Sequence, residues 1–201
     1  MSALFSLNGA PSRERAYSLA SSPLEEDFLE ITAARAGGDF ADALLALRPG
    51  DELTLRGPVG DCVYEDSICE AVLVAGGTGL APHRSMARYV LGKKLKTRLT
   101  MVCSAATPEN FPYRRELEEF RKRGLAVHQT ITRPGLLREG EDWNGGIGRI
   151  DGNFLENALG GLSTGVFFLC GPAPMVKSLH RDLLRRGVAP ERLRAEAWAL
   201  R

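Results

Sequence analysis

The run Val72-Leu73-Val74-Ala75-Gly76-Gly77-Thr78-Gly79-Leu80-Ala81-Pro82 constrains this chain more than any other stretch. Its apolar start reads as a strand buried on both faces. Three glycines then fall in four positions, and Pro82 stands where a helix would begin. Glycine lets the backbone approach a diphosphate closely, while free N–H groups and the positive end of the following helix dipole stabilise its charge. The pattern is not GxGxxG and lacks the Lys-Ser/Thr of a P-loop, so a merely tight strand-to-helix turn competes with it. Its place after the first buried strand of an α/β unit favours a phosphate cradle.

From residue 70 onward the chain alternates buried strand, glycine or polar loop, and amphipathic helix, the rhythm of a parallel sheet covered on both faces. Strands are expected at 71–75, 99–103, 126–131, 166–170 and 193–197, and helices at 82–94, 113–123, 153–159 and 174–186. The glycine-rich stretch 135–148 reads as a long surface loop. Before residue 66 the pattern differs, with short β-type segments at 4–7, 16–20, 28–33 and 52–56, the last after the turn Arg48-Pro49-Gly50-Asp51. Between them Phe40, Ala43, Leu44 and Leu47 recur at helical spacing, which predicts one short helix against an antiparallel sheet or barrel. Two domains are therefore expected, 1–66 and 67–201.

Twenty-six Lys and Arg against 25 Asp and Glu give a formal net charge of +1, which removes the electrostatic footprint of a nucleic-acid binder. The longest apolar runs, 71–75 and 166–170, fall far short of the ~20 residues that span a bilayer. The first ten residues lack a basic signal-peptide start, so a cytoplasmic location is expected. Cys62, Cys69, Cys103 and Cys170 show no CxxC or paired Cys/His spacing, and His83, His128 and His180 are isolated, so no metal or iron–sulfur site is expected.

Phe167-Phe168-Leu169-Cys170-Gly171-Pro172-Ala173-Pro174 repeats the strand, turn and helix arrangement. Ligands of open α/β sheets sit beyond the carboxyl ends of the strands, so Cys170 either faces the same crevice as Gly77 or simply fills a strand end. In Arg13-Glu14-Arg15-Ala16-Tyr17-Ser18-Leu19-Ala20-Ser21, one face carries Arg15, Tyr17 and Ser21, with Ser18 at the bend. Arginine grips phosphate and tyrosine offers a flat ring, although a solvated strand face has the same composition.

Taken in order, RAYSLAS, RPGDELTLRGPVG, AGGTGLAP, YRREL, CGPAPM and a terminal EAW resemble the ferredoxin–NADP⁺ reductase family over nearly the whole chain. The resemblance implies an antiparallel flavin-binding barrel followed by a five-stranded parallel NAD(P) domain, with FAD as prosthetic group and NADPH or NADH as donor. Only 14 residues precede Arg15, so an incomplete barrel is expected. By the resemblance, Arg15 holds the FAD diphosphate, Tyr17 stacks on the flavin and Ser18 hydrogen-bonds its N5, with Ser21 and Gly38 also on the flavin side. Gly76, Gly77, Thr78 and Gly79 form the dinucleotide loop, joined by Pro82, Gly171 and Pro172. Cys170 and Glu196, with Ser18, surround the reacting atoms, and Trp198 covers the other flavin face. Ala41 replaces a common Ser or Thr, and Ala106 stands where many members carry an arginine, which leaves Arg114 and Arg115 as candidates for a 2′-phosphate.

The implied activity is a flavin-dependent NAD(P)H oxidoreductase that passes electrons to a ferredoxin, flavodoxin or oxygenase partner. A dinucleotide-binding remnant without flavin chemistry and a flavin reductase using free flavin are the alternatives. Arg84, Arg88, Lys93, Lys94 and Lys96 make the first helix after the glycine loop basic, either as a docking face for an acidic partner or as a solvated helix face.

Overall fold

The computed structural model describes residues 2–7, 14–34, 39–139 and 142–195. A run that is apolar on both faces has to be covered on both, and strand β4 (Glu70–Gly76) is: Ala71 to Ala75 are all at most 1% exposed. It is the hub of a six-stranded parallel sheet with β5 (Arg98–Ala105), β6 (Ala126–Ile131), β7 (Gly146–Ile147), β8 (Val166–Cys170) and β9 (Leu193–Ala195), in the order β7-β6-β5-β4-β8-β9. The chain winds outward from β4 to β7, then crosses back to place β8 on the other side of β4. That reversal makes the carboxyl ends of β4 and β8 the switch point of the sheet.

Helices α2 (Leu80–Gly92) and α3 (Arg114–Lys122) cover one face, and α4 (Gly152–Leu159) and α5 (Ala173–Arg185) the other. The period-2 alternation of β4 decides which side chain meets which layer. Leu73 packs with Met86, Val90, Leu117 and Phe120, whereas Val72 and Val74 pack with Leu155, Val176, Leu179 and Leu183.

All five expected parallel strands are present, and β7 is an addition inside the stretch read as a loop. Two residues flanked by glycines carry no periodic signal, and β7 exists only because Thr130 and Ile131 of β6 offer it an edge. Helix α2 begins two residues ahead of Pro82, because Gly77–Gly79 already turn as a short 3₁₀ segment that runs straight into it.

The first third forms an antiparallel sheet of β1 (Ser2–Leu7), β2 (Arg15–Ser18) and β3 (Leu53–Val59), in the order β2-β1-β3, with α1 (Asp39–Ala46) beside it. The expected strand at 28–33 does not form. Its one ladder contact is an isolated bridge from Ile31 to Leu19, and Leu29 is 60% exposed.

A charged cluster ties this part of the chain to α2. The Arg84 guanidinium, 6% exposed, donates to the carbonyl of Ala20 at 3.0 Å and to Glu30 at 2.6 Å, and also pairs with Glu116 of α3. It lies 4.4 Å from the ring centre of Tyr113, whose hydroxyl bonds that of Thr32. Next to it, the Ser85 hydroxyl donates to the carbonyl of Ser21 at 2.6 Å, and Arg88 joins Glu25 to Glu116.

Candidate functional site

The switch point is built by backbone contact between two glycine turns. A Cβ added at Gly79 would lie 2.5 Å from the carbonyl carbon of Cys170 and 2.6 Å from the nitrogen of Gly171. Gly171 itself has φ +148 and presses on the backbone of Gly76, where a Cβ would sit 3.0 Å from its nitrogen. Gly77 does a different job: it adopts φ +54 and a Cβ there would meet nothing within 4 Å, so its backbone faces open space. No side chain caps the turn or the start of α2, which leaves N–H groups and a helix dipole directed at that opening. A diphosphate fits such a cradle on charge.

Two clefts meet at this point. The first, about 270 Å³, is lined by Tyr17 and Ser18 of β2, by Thr32, and by Thr78, Gly79 and Cys170 across the switch point. Residues separated by some 150 positions in sequence thus share one wall. Tyr17 stacks on Phe40 (centroids 6.3 Å apart) and meets Phe5 edge-on, and burial raises its phenol pKa, so it stays neutral. The Ser18 hydroxyl lies 3.4 Å from that of Ser2. The second cleft, about 620 Å³, continues past Gly76, Gly77 and Pro172 to Ser104, Asn110, Arg149 and Met175.

Other residues singled out from the sequence fall elsewhere. Ser21 is buried, and its hydroxyl accepts the Glu30 N–H at 3.0 Å, a structural bond away from either cleft. Pro82 is buried inside the first turn of α2 and Arg15 is exposed on β2; neither lines a cleft. Gly38, Glu196 and Trp198 lie outside the described residues. Of the basic residues on and just after α2, Arg84 and Arg88 pair with Glu25, Glu30 and Glu116 and Lys93 pairs with Asp66 at 2.6 Å, while Lys94 and Lys96 are exposed. Arg114 and Arg115 are exposed on α3 and line neither cleft.

Sequence reasoning missed Thr32 and Arg149. Neither sits in a motif, and only the winding of the chain brings them to the clefts. Cys103, at the end of β5, is buried and its thiol is pushed up to about 12 by desolvation, so it is no nucleophile at neutral pH. His83 on α2 is buried, its Nδ1 has no hydrogen-bond partner among the described residues, and desolvation holds its pKa down to about 3. Among the described residues no cluster of His, Cys, Asp or Glu is arranged to hold a metal, and no helix is long and apolar enough to cross a membrane.

A doubly wound parallel sheet with a glycine cradle at its switch point, joined to an antiparallel sheet that supplies the facing wall, defines a dinucleotide-binding α/β protein. The family model of the oxidoreductase NAD-binding domain matches residues 73–181, and the chain belongs to that family. It is 32% identical over 189 residues to the glycine betaine monooxygenase reductase subunit of Pseudomonas aeruginosa, covering 92% of this chain and 51% of that protein. Its fold matches the cytochrome b5 reductase domain of Ulva prolifera nitrate reductase, with a TM-score of 0.81 at 25% identity over 96% of this chain and 83% of that one. A ferredoxin NADP⁺ reductase from Neisseria gonorrhoeae shares the fold at 21% identity, with a TM-score of 0.78 over 97% and 84% of the two chains. The ferredoxin reductase resemblance read from the motifs is thereby borne out. The chain spans about half the length of the curated relatives it matches first.

Proposed function

We propose that the protein is an FAD-dependent NAD(P)H oxidoreductase that delivers electrons to a separate acceptor, with residues 1–66 on the flavin side and 67–201 on the dinucleotide side. The observation that carries this reading is the shared cleft, where Tyr17 and Ser18 of the antiparallel sheet face Thr78, Gly79 and Cys170 of the parallel one. A neutral aromatic ring, hydroxyl donors and an uncharged lining suit a flat heterocycle, and the adjoining glycine cradle suits a dinucleotide diphosphate. When bound, nicotinamide and flavin supply hydride transfer and stepwise electron release.

The chain's own residues bind, orient and exclude water. Gly76 to Gly79 hold the dinucleotide diphosphate through N–H groups. Gly79 allows the two turns to close to backbone contact, which fixes the distance between the cradle and Cys170. Tyr17 and Ser18 present a ring and a hydroxyl to the flavin, and Arg15 presents its cation to the flavin diphosphate at the outer end of β2. By the family resemblance, Glu196 and Trp198 complete the site from the end of the chain.

An acceptor on another molecule, whether ferredoxin, flavodoxin or an oxygenase component, is supported by the reductase-subunit relative. Four cysteines without a disulfide among the described residues, and a nucleotide donor made inside cells, support a cytoplasmic location.

Purified protein supplied with FAD and titrated anaerobically with NADH or NADPH should retain stoichiometric yellow flavin and lose its colour on reduction. Colourless protein that still binds nucleotide would instead identify a dinucleotide-binding remnant. Activity that saturates in free flavin, with none retained, would identify a flavin reductase.

A further inference from the structure

The stretch 30–34 reaches the smaller cleft through Thr32 and Ala34, yet no ladder holds it there. Apart from the one bridge at Ile31, its placement rests on individual bonds. The Glu30 N–H donates to the Ser21 hydroxyl at 3.0 Å, the Glu30 carbonyl accepts the Ala20 N–H at 2.6 Å, and the Glu30 carboxylate accepts from Arg84. All three act at residue 30, short of the cleft. Past Ile31 the bond that ties the stretch down is between the hydroxyls of Thr32 and Tyr113.

Tyr113 belongs to the parallel half. It stands just before α3, where its carbonyl accepts the Leu117 N–H at 3.0 Å, and its ring packs against the core under α2 and α3. Its backbone adopts φ +57, a left-handed conformation that a bulky side chain rarely takes. Such a residue persists where its surroundings over-determine it. Here the Arg84 guanidinium covers the ring face and Thr32 engages the hydroxyl, while burial raises the phenol pKa and keeps its proton in place.

We propose that Tyr113 is a positioning residue for the wall that the antiparallel half gives the smaller cleft. Its hydroxyl anchors Thr32 to the parallel half and so sets how closely residues 32–34 approach a flat heterocycle lying there, an assignment that rests on the flavin reading of that cleft. Tyr113 acts through Thr32 and lines neither cleft itself. The glycine cradle is reached by neither side chain, so nucleotide binding is the internal control.

The test is a double-mutant cycle on the full chain with Tyr113→Phe, which keeps the ring under Arg84, and Thr32→Val, which keeps the shape of the side chain. FAD is titrated into each protein by flavin fluorescence and visible absorption, NADH is titrated without FAD, and unfolding is followed alongside. Each single variant should bind FAD about fivefold more weakly, the size of one neutral hydrogen bond, and should shift the absorption of the bound flavin. The double variant should be no weaker than either single one, because both remove the same bond. NADH affinity should not change. Losses that multiply in the double variant would overturn the proposal. So would a lowered unfolding midpoint in Tyr113→Phe with FAD affinity and spectrum unaltered, which is the signature of a merely structural bond. Failure of the wild-type chain to bind FAD would instead bring down the flavin reading, and the assignment with it.

Discussion

In the parallel sheet, β4 is buried along both faces and Phe167 and Phe168 of β8 are sealed in opposite helical layers, whereas α1 beside the antiparallel sheet buries none of its side chains and most of β3 is exposed. The smaller cleft draws a wall from each. The glycine cradle is part of a core and inherits its rigidity, because Gly76, Gly79 and Gly171 are packed backbone to backbone. The wall from the antiparallel half has less apolar burial behind it and is held to α2 by directional bonds from Arg84 and Ser85. Close packing thus sets the geometry of one half of the site, and a buried cation sets how the other half is docked to it.

The largest effect expected from this contrast is at Arg84. Replacing it with alanine strips Glu30, Glu116 and the Ala20 carbonyl of their shared donor, and breaking a buried ion pair from one side costs about 3–5 kcal/mol. Denaturant unfolding should show that loss. If Arg84→Ala unfolds at the wild-type midpoint, the two sheets are joined by something else.

The glycines provide a paired test within the cradle. Gly79→Ala forces a methyl group into the backbone of Cys170 and Gly171 and should lower stability by about 3 kcal/mol, since neither neighbour is a flexible side chain. Gly77→Val meets no neighbour and should lower stability by only about 1–2 kcal/mol, the cost of a left-handed backbone. Its branched side chain stands in the opening, however, and should raise the nucleotide KM. Equal stability losses at the two positions would contradict the division between a packing glycine and a ligand-facing one.

A smaller, graded effect is expected with pH. His83 is buried neutral with its pKa lowered from 6.5 to about 3, so the unfolded chain binds the proton more readily than the folded one. Its contribution to stability is complete above about pH 6.5 and declines as pH falls toward 3, reaching a loss of about 2–3 kcal/mol at pH 4.5. Thermal melts over this window should show the decline in wild type and a flatter profile in His83→Leu. Parallel profiles for the two proteins would show that other groups govern the acid response.

Much of the parallel half was legible in advance. Uniformly apolar runs such as 71–75 and 166–170 admit few fates, and the glycines that follow them mark turns wherever they occur. The antiparallel half was read less well. Residues 28–33 alternate as a strand should, yet a strand needs a neighbour along its length, and Ile31 alone finds one. Ser21 and the basic residues of α2 looked like surface chemistry because a sequence does not disclose hydrogen-bond and ion-pair partners at a separation of 54 or 64 residues.

By itself the sequence determined the alternation of strand and helix and the glycine turns that follow 71–75 and 166–170, since each follows from local apolar period and backbone freedom. Tertiary structure decided which residues share a cleft. Thr32 joins Cys170, Arg149 joins Gly77, and Arg84 turns inward because chain winding, charge compensation and close packing act between positions far apart in the chain, where no local pattern records them.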